Sequence, residues 1–511
     1  MNLPDTIRPA HVAPLTLGAA LSGLADVPAS LASETICDLA YDSRRVSPSC
    51  LYFGLPGAKA HGASFGDQAQ AAGAVAMVTD AEGAKLATGS LPVLAVADPR
   101  QMMALVAARV FGDPTAGRLT FGVTGTMGKT TTCLMLDAAL RAQGRHVGYI
   151  GTIGFTVDGE PIPVRRNTVT TPESVDLQAA LAAMAEMGAD TFVMEASSMG
   201  LALHRVTGVH FDVVGFTNLA RDHLDFHGTM EAYYDAKAEL FRPGWAGQAV
   251  VNVDDEAGQR LAAGIAAAGQ PTLTTVGRGA TADYQILDRV VEGRRQLVAY
   301  RHDGDVARFG LDMPGQFNVS NAMLALGMMQ AAGFAAEPTR QGLSHAVVPG
   351  RMQPVDLGPD APAVFIDFGH TPEATEAALS AAPRPSVAVL GAGGDRDPGK
   401  RELMGAAAAR QTDVVIVTDD NYRSEDPALI RAAVRRGAEQ QATLSGANVI
   451  EVAGRPQAVR EALAMAPSSW CVVVLGRGVE EFQEIAGGQR IPMRDADLVR
   501  QAWHEIKRER S

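Results

Sequence analysis

The chain is short of positive charge: across 511 residues, 44 Lys and Arg face 57 Asp and Glu, a net charge of −13 with histidine neutral. Affinity for a polyanion comes largely from phosphates paired with basic side chains, so this balance argues against a nucleic-acid binder. Any anionic ligand must be caught by local features. Cysteine is also scarce. Cys37, Cys50, Cys133 and Cys471 are scattered with no C-x-x-C pair. They fit neither a zinc site nor a disulfide framework, and they suit a reducing cytosol. No apolar run reaches about 18 residues, and no basic-then-apolar leader opens the chain, so no membrane span is expected and a cytoplasmic location is.

What is present is apolar material and glycine. Apolar residues make up 47% of the chain, and there are 53 glycines. That suits α/β domains with many tight strand-to-helix turns, and the length suggests about three of them. Residues 1–113 carry short strands and Gly/Pro loops such as "CLYFGLPGAKAHGASF", and "FGDPTAGRL" reads as a linker. From 119 the pattern is strand "LTFGVT", loop, helix "KTTTCLMLDAALRAQG", strand "HVGYIG", then strands at "TFVMEA", "DVVGFTNL" and "QAVVNVDD". Strands alternating with helices predict a parallel sheet with crossover helices over 114–348. The Pro/Gly-rich "VVPGRMQPVDLGPDAPA" marks a second boundary. Strands "AVFIDF", "SVAVLGAG", "DVVIVTDD" and "CVVVLGRG" then predict a Rossmann-like unit over 349–511, with ligands at the carboxyl ends of its strands.

The stretch "FGVTGTMGKTTT" follows a strand and starts a helix. Gly125 and Gly128 let backbone N–H groups approach phosphates, and the helix N-terminus favours negative charge. Lys129 adds a cation, and Thr130 can ligate Mg²⁺. Val123 stands where the strict G-x-x-x-x-G-K-[ST] pattern has its first glycine. Nucleotide binding is the reading here, against a plain Gly-rich turn.

Other motifs are weaker alone. "MEASSMG" places Glu195 just past an apolar strand, and "FTNLARDHLDFHGTMEAYYDAKAELF" carries His223, Asp225, His227 and Lys237. Each has a bland reading as a helix cap, a loop histidine or a solvated lysine. Beside a phosphate loop they become candidates for metal chemistry, because ATP chemistry needs Mg²⁺ and oxygens to hold it. "GQFNVSNAMLAL" offers Asn318 and Asn321 at a helix start, where capping explains them equally well. Arg351 lies in the second linker, and Asp367 and His370 lie at a strand end. "GAGGDRDPGKR", "TDDNYRSEDP" and "GRGVEEF" bring Arg396, Asn421, Arg423, Gly476 and Glu480. Two arginines and an asparagine at strand ends suit capture of a small carboxylate-bearing ligand; a surface salt-bridge network is the alternative.

Together, from "YDSRRV" to "GRGVEEF", these segments resemble the Mur ligases, ATP-dependent amino-acid ligases of peptidoglycan synthesis. The order and spacing carry the resemblance; no single motif would. It implies three α/β domains: 1–113 for the UDP-sugar, 114–348 for ATP and Mg²⁺, and 349–511 for the amino acid. Ser43 would contact the UDP-sugar, and Thr170, Thr171, Ser197 and Arg205 would hold the muramoyl-dipeptide. The loop Gly125, Thr126, Met127, Gly128, Lys129, Thr130 and Thr131 would enclose the phosphates of ATP, with Asn318, Asn321, Arg351 and Asp367 serving the rest of the nucleotide. Thr130, Glu195 and His223 would face Mg²⁺, with Lys237 as a carbamate bridging to a second ion. Arg396, Asp420, Asn421, Arg423, Gly476 and Glu480 would bind the incoming amino acid. Met127, Met199, Leu203 and Tyr422 depart from the family pattern, as does "GRGVE" where the family has "GKGHE".

The resemblance further implies small-molecule substrates, UDP-MurNAc-dipeptide and meso-diaminopimelate, joined through an acyl phosphate by a monomer. Three alternatives remain open at this point. One is a P-loop kinase, one a ligase that adds lysine or another diamine, and one a UDP-sugar-binding pseudo-ligase.

Overall fold

The computed structural model describes residues 4, 6–57, 60–164, 170–292 and 295–510. The chain forms two compact units. The first comprises Met1–Ile286, Arg301–Asp305 and Asn321–Leu343; the second comprises Leu287–Tyr300, Val306–Ser320 and Ser344–Ser511.

The first unit holds two parallel arrays. Near the N-terminus, Asp38–Ala40, Cys50–Gly54, Ala74–Thr79 and Val93–Ala95 pair in chain order, all parallel. The helix Pro99–Val110 covers them. Asp98 caps it by accepting from the Arg100 and Gln101 amides, and proline opens its first turn, where no N–H is missed. Its Met102, Met103, Val106 and Val110 pack with Leu39, Leu51, Phe53 and Val78.

The larger array is a doubly wound sheet. Its parallel strands run in the order Val147–Gly151, Thr191–Glu195, Leu119–Thr124, Phe211–Phe216, Ala246–Asn252 and Thr272–Gly277. The first strand in the chain, Leu119–Thr124, lies in the middle. The chain winds one way from it and then the other, so the crevice at its carboxyl end is a ligand position. Strands such as "VGYIG" and "TFVME" are buried throughout, as expected for a sheet covered on both faces.

Asp176, in the first turn of helix Ser174–Glu186, ties the two arrays together. It accepts from Tyr41 Oη at 2.6 Å, Arg45 Nη2 at 2.6 Å and Arg8 Nη1 at 3.1 Å. Burial works against its ionisation, but the Arg45 hydrogen bond and charge, the Tyr41 hydroxyl and Arg8 outweigh it and hold its pKa below the usual value.

The second unit is built on a six-stranded sheet. Gln353–Val355 forms an antiparallel edge, followed by Ala363–Asp367, Cys471–Leu475, Ser386–Leu390, Val414–Val417 and Asn448–Glu451, all parallel. Helices Lys400–Gln411 and Pro427–Ser445 cross closely because each has a glycine at the contact. A Cβ on Gly405 would overlap the Val434 carbonyl, and one on Gly437 the Glu402 carbonyl.

The Asp176 cluster yields a test. Asp176→Ala leaves half-buried Arg45 with only the Tyr41 hydroxyl as partner and is expected to cost about 2 kcal/mol in urea unfolding at neutral pH. A lowered carboxylate pKa stabilises above its unfolded value and loses that contribution as pH falls through the folded value. The gap between variant and wild type should therefore narrow below about pH 4; a gap that stays constant to pH 2 contradicts the role.

Candidate active site

The phosphate loop sits at the carboxyl end of the central strand, as its sequence predicts. Helix Lys129–Arg141 begins directly after Gly128, which is left-handed at φ 87°. Gly125 has φ 146°, and a Cβ there would overlap Thr217 Oγ1. A Cβ on Gly128 would overlap Asn321 Oδ1, so Asn321 lies against the loop. The neighbouring strand end supports the turn. The Thr126 amide donates to the Asn218 carbonyl at 2.9 Å and the Met127 amide to Asn218 Oδ1 at 3.0 Å. Thr217 Oγ1 and Asn218 Nδ2 donate to the Met127 carbonyl at 2.7 and 3.0 Å.

Two lysines converge on this loop. Lys129 Nζ donates to the Gly125 and Thr126 carbonyls at 2.9 and 3.0 Å. Lys237, on helix Met230–Ala238, donates to the same Gly125 carbonyl at 2.7 Å and lies 4.4 Å from the Tyr233 ring centroid. Lys237 is buried, and among the described residues Gly125 is its only hydrogen-bond partner. Burial pushes its ammonium well below the usual lysine pKa, and Lys129 adds to this against Asp222.

Glu195 ends its strand fully buried. Tyr149 Oη and the Thr152 amide donate to Oε1 at 2.7 and 2.8 Å, and Thr152 Oγ1 donates to Oε2 at 3.0 Å. Thr170 Oγ1 lies 3.2 Å from Thr152 Oγ1. Thr171 Oγ1 donates to the Glu195 carbonyl and accepts from the Ser197 amide. Arg205 grips Glu173 at 2.8 Å and donates to the Thr171 carbonyl at 3.1 Å. These four substrate candidates thus form one connected shelf beside Glu195.

His223 is left-handed at φ 52° and pairs with Asp222 at 3.5 Å. His227 is turned to Ser198 Oγ at 3.0 Å, and exposed Asp225 acts on it by charge, with no side-chain hydrogen bond of its own among the described residues. Ser43 is buried and donates to Gln68 at 2.6 Å. A cavity of about 580 Å³ in the same array is lined by Leu24, Pro28, Val93, Asp98 and Gln101, and Ser43 is not part of it.

In the second unit, Asp367 accepts the Met352 and Gly369 amides, both at 2.7 Å, and burial raises its pKa. The Arg351 guanidinium lies 4.6 Å from the Phe368 ring centroid. Buried Asn318 donates to the Pro314 carbonyl at 2.7 Å. His370 Nδ1 lies 2.9 Å from the Phe368 carbonyl. At the strand ends, Asn421 Nδ2 donates to Glu480 Oε2 at 2.7 Å. Arg423 donates to Glu484 at 2.9 Å and to the Gly394 carbonyl at 2.7 Å. The guanidinium of half-buried Arg423 and the Cγ of exposed Arg396 flank Gly393, and Gly476 lies against the Asp420 carboxylate. Tyr422 packs its ring on the core, which fixes a loop that carries no proline.

Comparisons with known proteins fit this layout. Residues 123–329 match the Mur ligase middle domain, 350–478 the Mur ligase glutamate ligase domain, and 35–111 the Mur ligase family catalytic domain. A Corynebacterium glutamicum protein named UDP-N-acetylmuramoyl-L-alanyl-D-glutamate--2,6-diaminopimelate ligase is 42% identical, covering 90% of this chain and 91% of its own. The chain belongs to the Mur ligase family. A Streptomyces avermitilis protein of the same name is 40% identical, covering 99% of this chain and all of its own. A solved structure of that name superposes with a TM-score of 0.71 at 29% identity, covering 98% of this chain and 100% of that one. Like other Mur ligases, the chain is an ATP-dependent, amide-bond-forming enzyme with this family's α/β fold.

The Mur ligase motifs did not point to several residues that hold the site together. Tyr149 and Thr152 brace Glu195, Thr217 and Asn218 brace the phosphate loop, and buried Arg477 donates to Asn421 Oδ1 at 2.8 Å. Thr217 and Asn218 had a signal, since "FTN" closes a buried strand; the others had none beyond lying near motif residues. Among the described residues, no group of three or more His, Cys, Asp or Glu could hold a metal ion alone. Mg²⁺ takes few protein ligands and completes its shell from phosphates and water. The braced Glu195 carboxylate and the Thr130 hydroxyl supply oxygens of the right kind.

Lys129→Ala removes a cation from the phosphate loop and is expected to lower ATP turnover by about 10³-fold. Its thermal unfolding should match wild type. Near-normal turnover in the folded variant would contradict the nucleotide site.

Proposed function

We propose that the chain joins meso-diaminopimelate to the D-glutamate of UDP-MurNAc-L-Ala-D-Glu in peptidoglycan synthesis. ATP's γ-phosphoryl passes to the glutamate carboxylate, breaking its bond to the β-phosphate oxygen and releasing ADP. The amine then attacks the acyl carbon, loses a proton and expels phosphate as the amide forms. The problem is charge: a triphosphate and a carboxylate must meet. Lys129 and the backbone amides of the phosphate loop would hold the triphosphate, with Asn318, Asn321, Arg351 and Asp367 serving the rest of the nucleotide. Ser43 would hold the UDP-sugar, and Thr170, Thr171, Ser197 and Arg205 the dipeptide. Mg²⁺, when bound, offsets phosphate charge; Thr130, Glu195 and His223 are the residues that would hold it. Residues 1–113, 114–348 and 349–511 would serve the UDP-sugar, ATP and the amino acid in turn, in a monomer in the cytoplasm.

Lys237 is read as a carbamate. Its low pKa leaves more free amine, the form that adds CO₂, and a carbamate would add oxygen donors beside the phosphate loop. In the variant Lys237→Ala, ligation is expected to fall by about 10³-fold, with partial rescue by short carboxylic acids. A ¹³C-bicarbonate-labelled wild type should show a carbamate carbonyl resonance that the variant lacks. No resonance and no rescue would contradict the carbamate.

The observation that carries the choice of amino acid is the paired arrangement at the second unit's strand ends. Arg423 and Arg396 flank one glycine, and Glu480 stands beside Asn421. That pairing suits a carboxylate and an ammonium on one carbon, the far end of meso-diaminopimelate, whereas lysine has only the ammonium. A guanidinium fork binds a carboxylate with two parallel hydrogen bonds. A site built around a polar group can reject an analogue lacking it by about 10⁴-fold. The test is kcat/KM for the two amino acids on wild type and Arg423→Ala, with mass spectrometry of the product. Preference for meso-diaminopimelate should collapse in the variant. Equal use of lysine by wild type, or an unchanged preference in the variant, overturns the assignment.

A further inference from the structure

Behind the amino-acid site lie two fully buried arginines. Arg455 grips Asp495 through two hydrogen bonds of 2.7 and 2.6 Å and donates to the Leu475 carbonyl at 2.7 Å. Arg477 lies alongside. Its Nε is 3.9 Å from Asp495 Oδ1 and makes no hydrogen bond, and its Nη2 donates to the Met493 carbonyl at 3.2 Å. Nη1 donates to Asn421 Oδ1 at 2.8 Å and stands 3.5 Å from Glu480 Oε2 and 3.9 Å from Asp420 Oδ1. Burying a guanidinium is costly unless its surroundings compensate it. Here the compensation comes from the groups that face the ligand.

The contact fixes which way the Asn421 amide points. Oδ1 accepts from Arg477 Nη1 and from the Glu484 amide, both at 2.8 Å, so Nδ2 is left to donate to Glu480 Oε2. A flipped amide would set its NH₂ against the guanidinium and its oxygen against the carboxylate, two repulsions in place of two attractions. Glu480 is thereby held by one oxygen. Among the described residues its Oε1 has no hydrogen bond, and its side chain is 35% exposed, against 0% for Arg477.

We infer that Arg477 is the positioning residue of the amino-acid pocket. Anchored beside the Arg455–Asp495 pair, it orients the Asn421 amide and one oxygen of Glu480, which leaves Glu480 Oε1 for the ammonium of the incoming diamino acid. The inference rests on the reading of this site as the amino-acid pocket. It adds a residue that never touches the ligand but sets the geometry that does.

Two substitutions separate the charge of Arg477 from its shape. Groups acting on Glu480 are Asn421, Asp420, Arg477, Arg423 and, from the buried pair behind, Arg455; burial raises its pKa, and Arg477 works against that rise. Arg477→Met removes the charge and should raise KM for meso-diaminopimelate by about 30-fold. It should also move the acid limb of that KM to higher pH, because Glu480 becomes harder to ionise. Arg477→Lys keeps the charge but loses the fork, so KM should rise by about five-fold with the acid limb unmoved. KM for ATP and for the UDP-substrate should stay within about two-fold of wild type in both. Glu480→Gln should show a high KM with no acid limb. Should Arg477→Met fail to fold by thermal melting, Arg477→Lys decides alone. Unchanged amino-acid KM in the folded variants overturns the inference, as does an equal rise in all three KM values. A wild type that uses no diamino acid overturns instead the reading of the pocket.

Discussion

The carbonyl of Gly125 receives two lysines, and the candidate site of the first unit is arranged around that meeting. Lys129 and Lys237 come from helices far apart in the chain, yet both point at one oxygen, at 2.9 and 2.7 Å. Burial pushes the Lys237 ammonium well below the usual lysine pKa, and repulsion from Lys129 on the same neutral acceptor adds to it. The convergence makes sense where an anion is to be received. A bound phosphate would give Lys129 a charged partner, and the carbamate proposed for Lys237 would put a negative charge in place of a positive one. The loop can sustain this only because Thr217 and Asn218 hold Met127 from the neighbouring strand, and because no side chain larger than hydrogen fits at Gly125.

Glu195 obeys the complementary rule. It is a buried carboxylate with no lysine or arginine on it among the described residues, held by Tyr149 and Thr152 donors. Neutral donors orient the carboxylate and leave its charge uncancelled, which suits a group meant for a cation. The acidic partner of Arg205, Glu173, is instead fully committed, gripped also by Arg100 at 3.1 Å. That cluster sets the shelf of Thr170, Thr171 and Ser197 rather than offering charge to solvent.

The second unit solves the same problem with opposite materials. Its candidate amino-acid groups, Asn421, Glu480 and Arg423, are partly exposed or lie at the strand ends; a buried arginine, Arg477, orients Asn421 and neighbours Glu480 beside the Arg455–Asp495 pair, and partly exposed Glu484 holds Arg423. The exposed ends can exchange a hydrogen bond for a ligand; the buried pair cannot without leaving a bare charge in the interior.

Much of this was legible in the sequence. Buried parallel strands read as short apolar runs, and each of the nine picked out by pattern is a strand in the structure. The phosphate loop was legible because its chemistry is local: glycine, lysine and threonine in consecutive turns. The strands Tyr284–Glu292, Arg295–His302 and Asp305–Leu311 were not, since their mixed polar pattern has no long apolar run to mark it. Nor were the roles of Tyr149, Arg455, Arg477 and Asp495. A tyrosine inside a buried strand and an arginine in a glycine turn look alike wherever they occur. What they do depends on partners 46, 40 and 56 residues away, at Glu195, Asp495 and Asn421. The sequence by itself determined the buried parallel strands, the phosphate loop and most of the motif side chains, because those follow from local periodicity and spacing. Only the tertiary structure decided which of those side chains are charged neighbours, which are neutralised and which stay open to a ligand, because burial and pairing are made by chain folding and not by chain order.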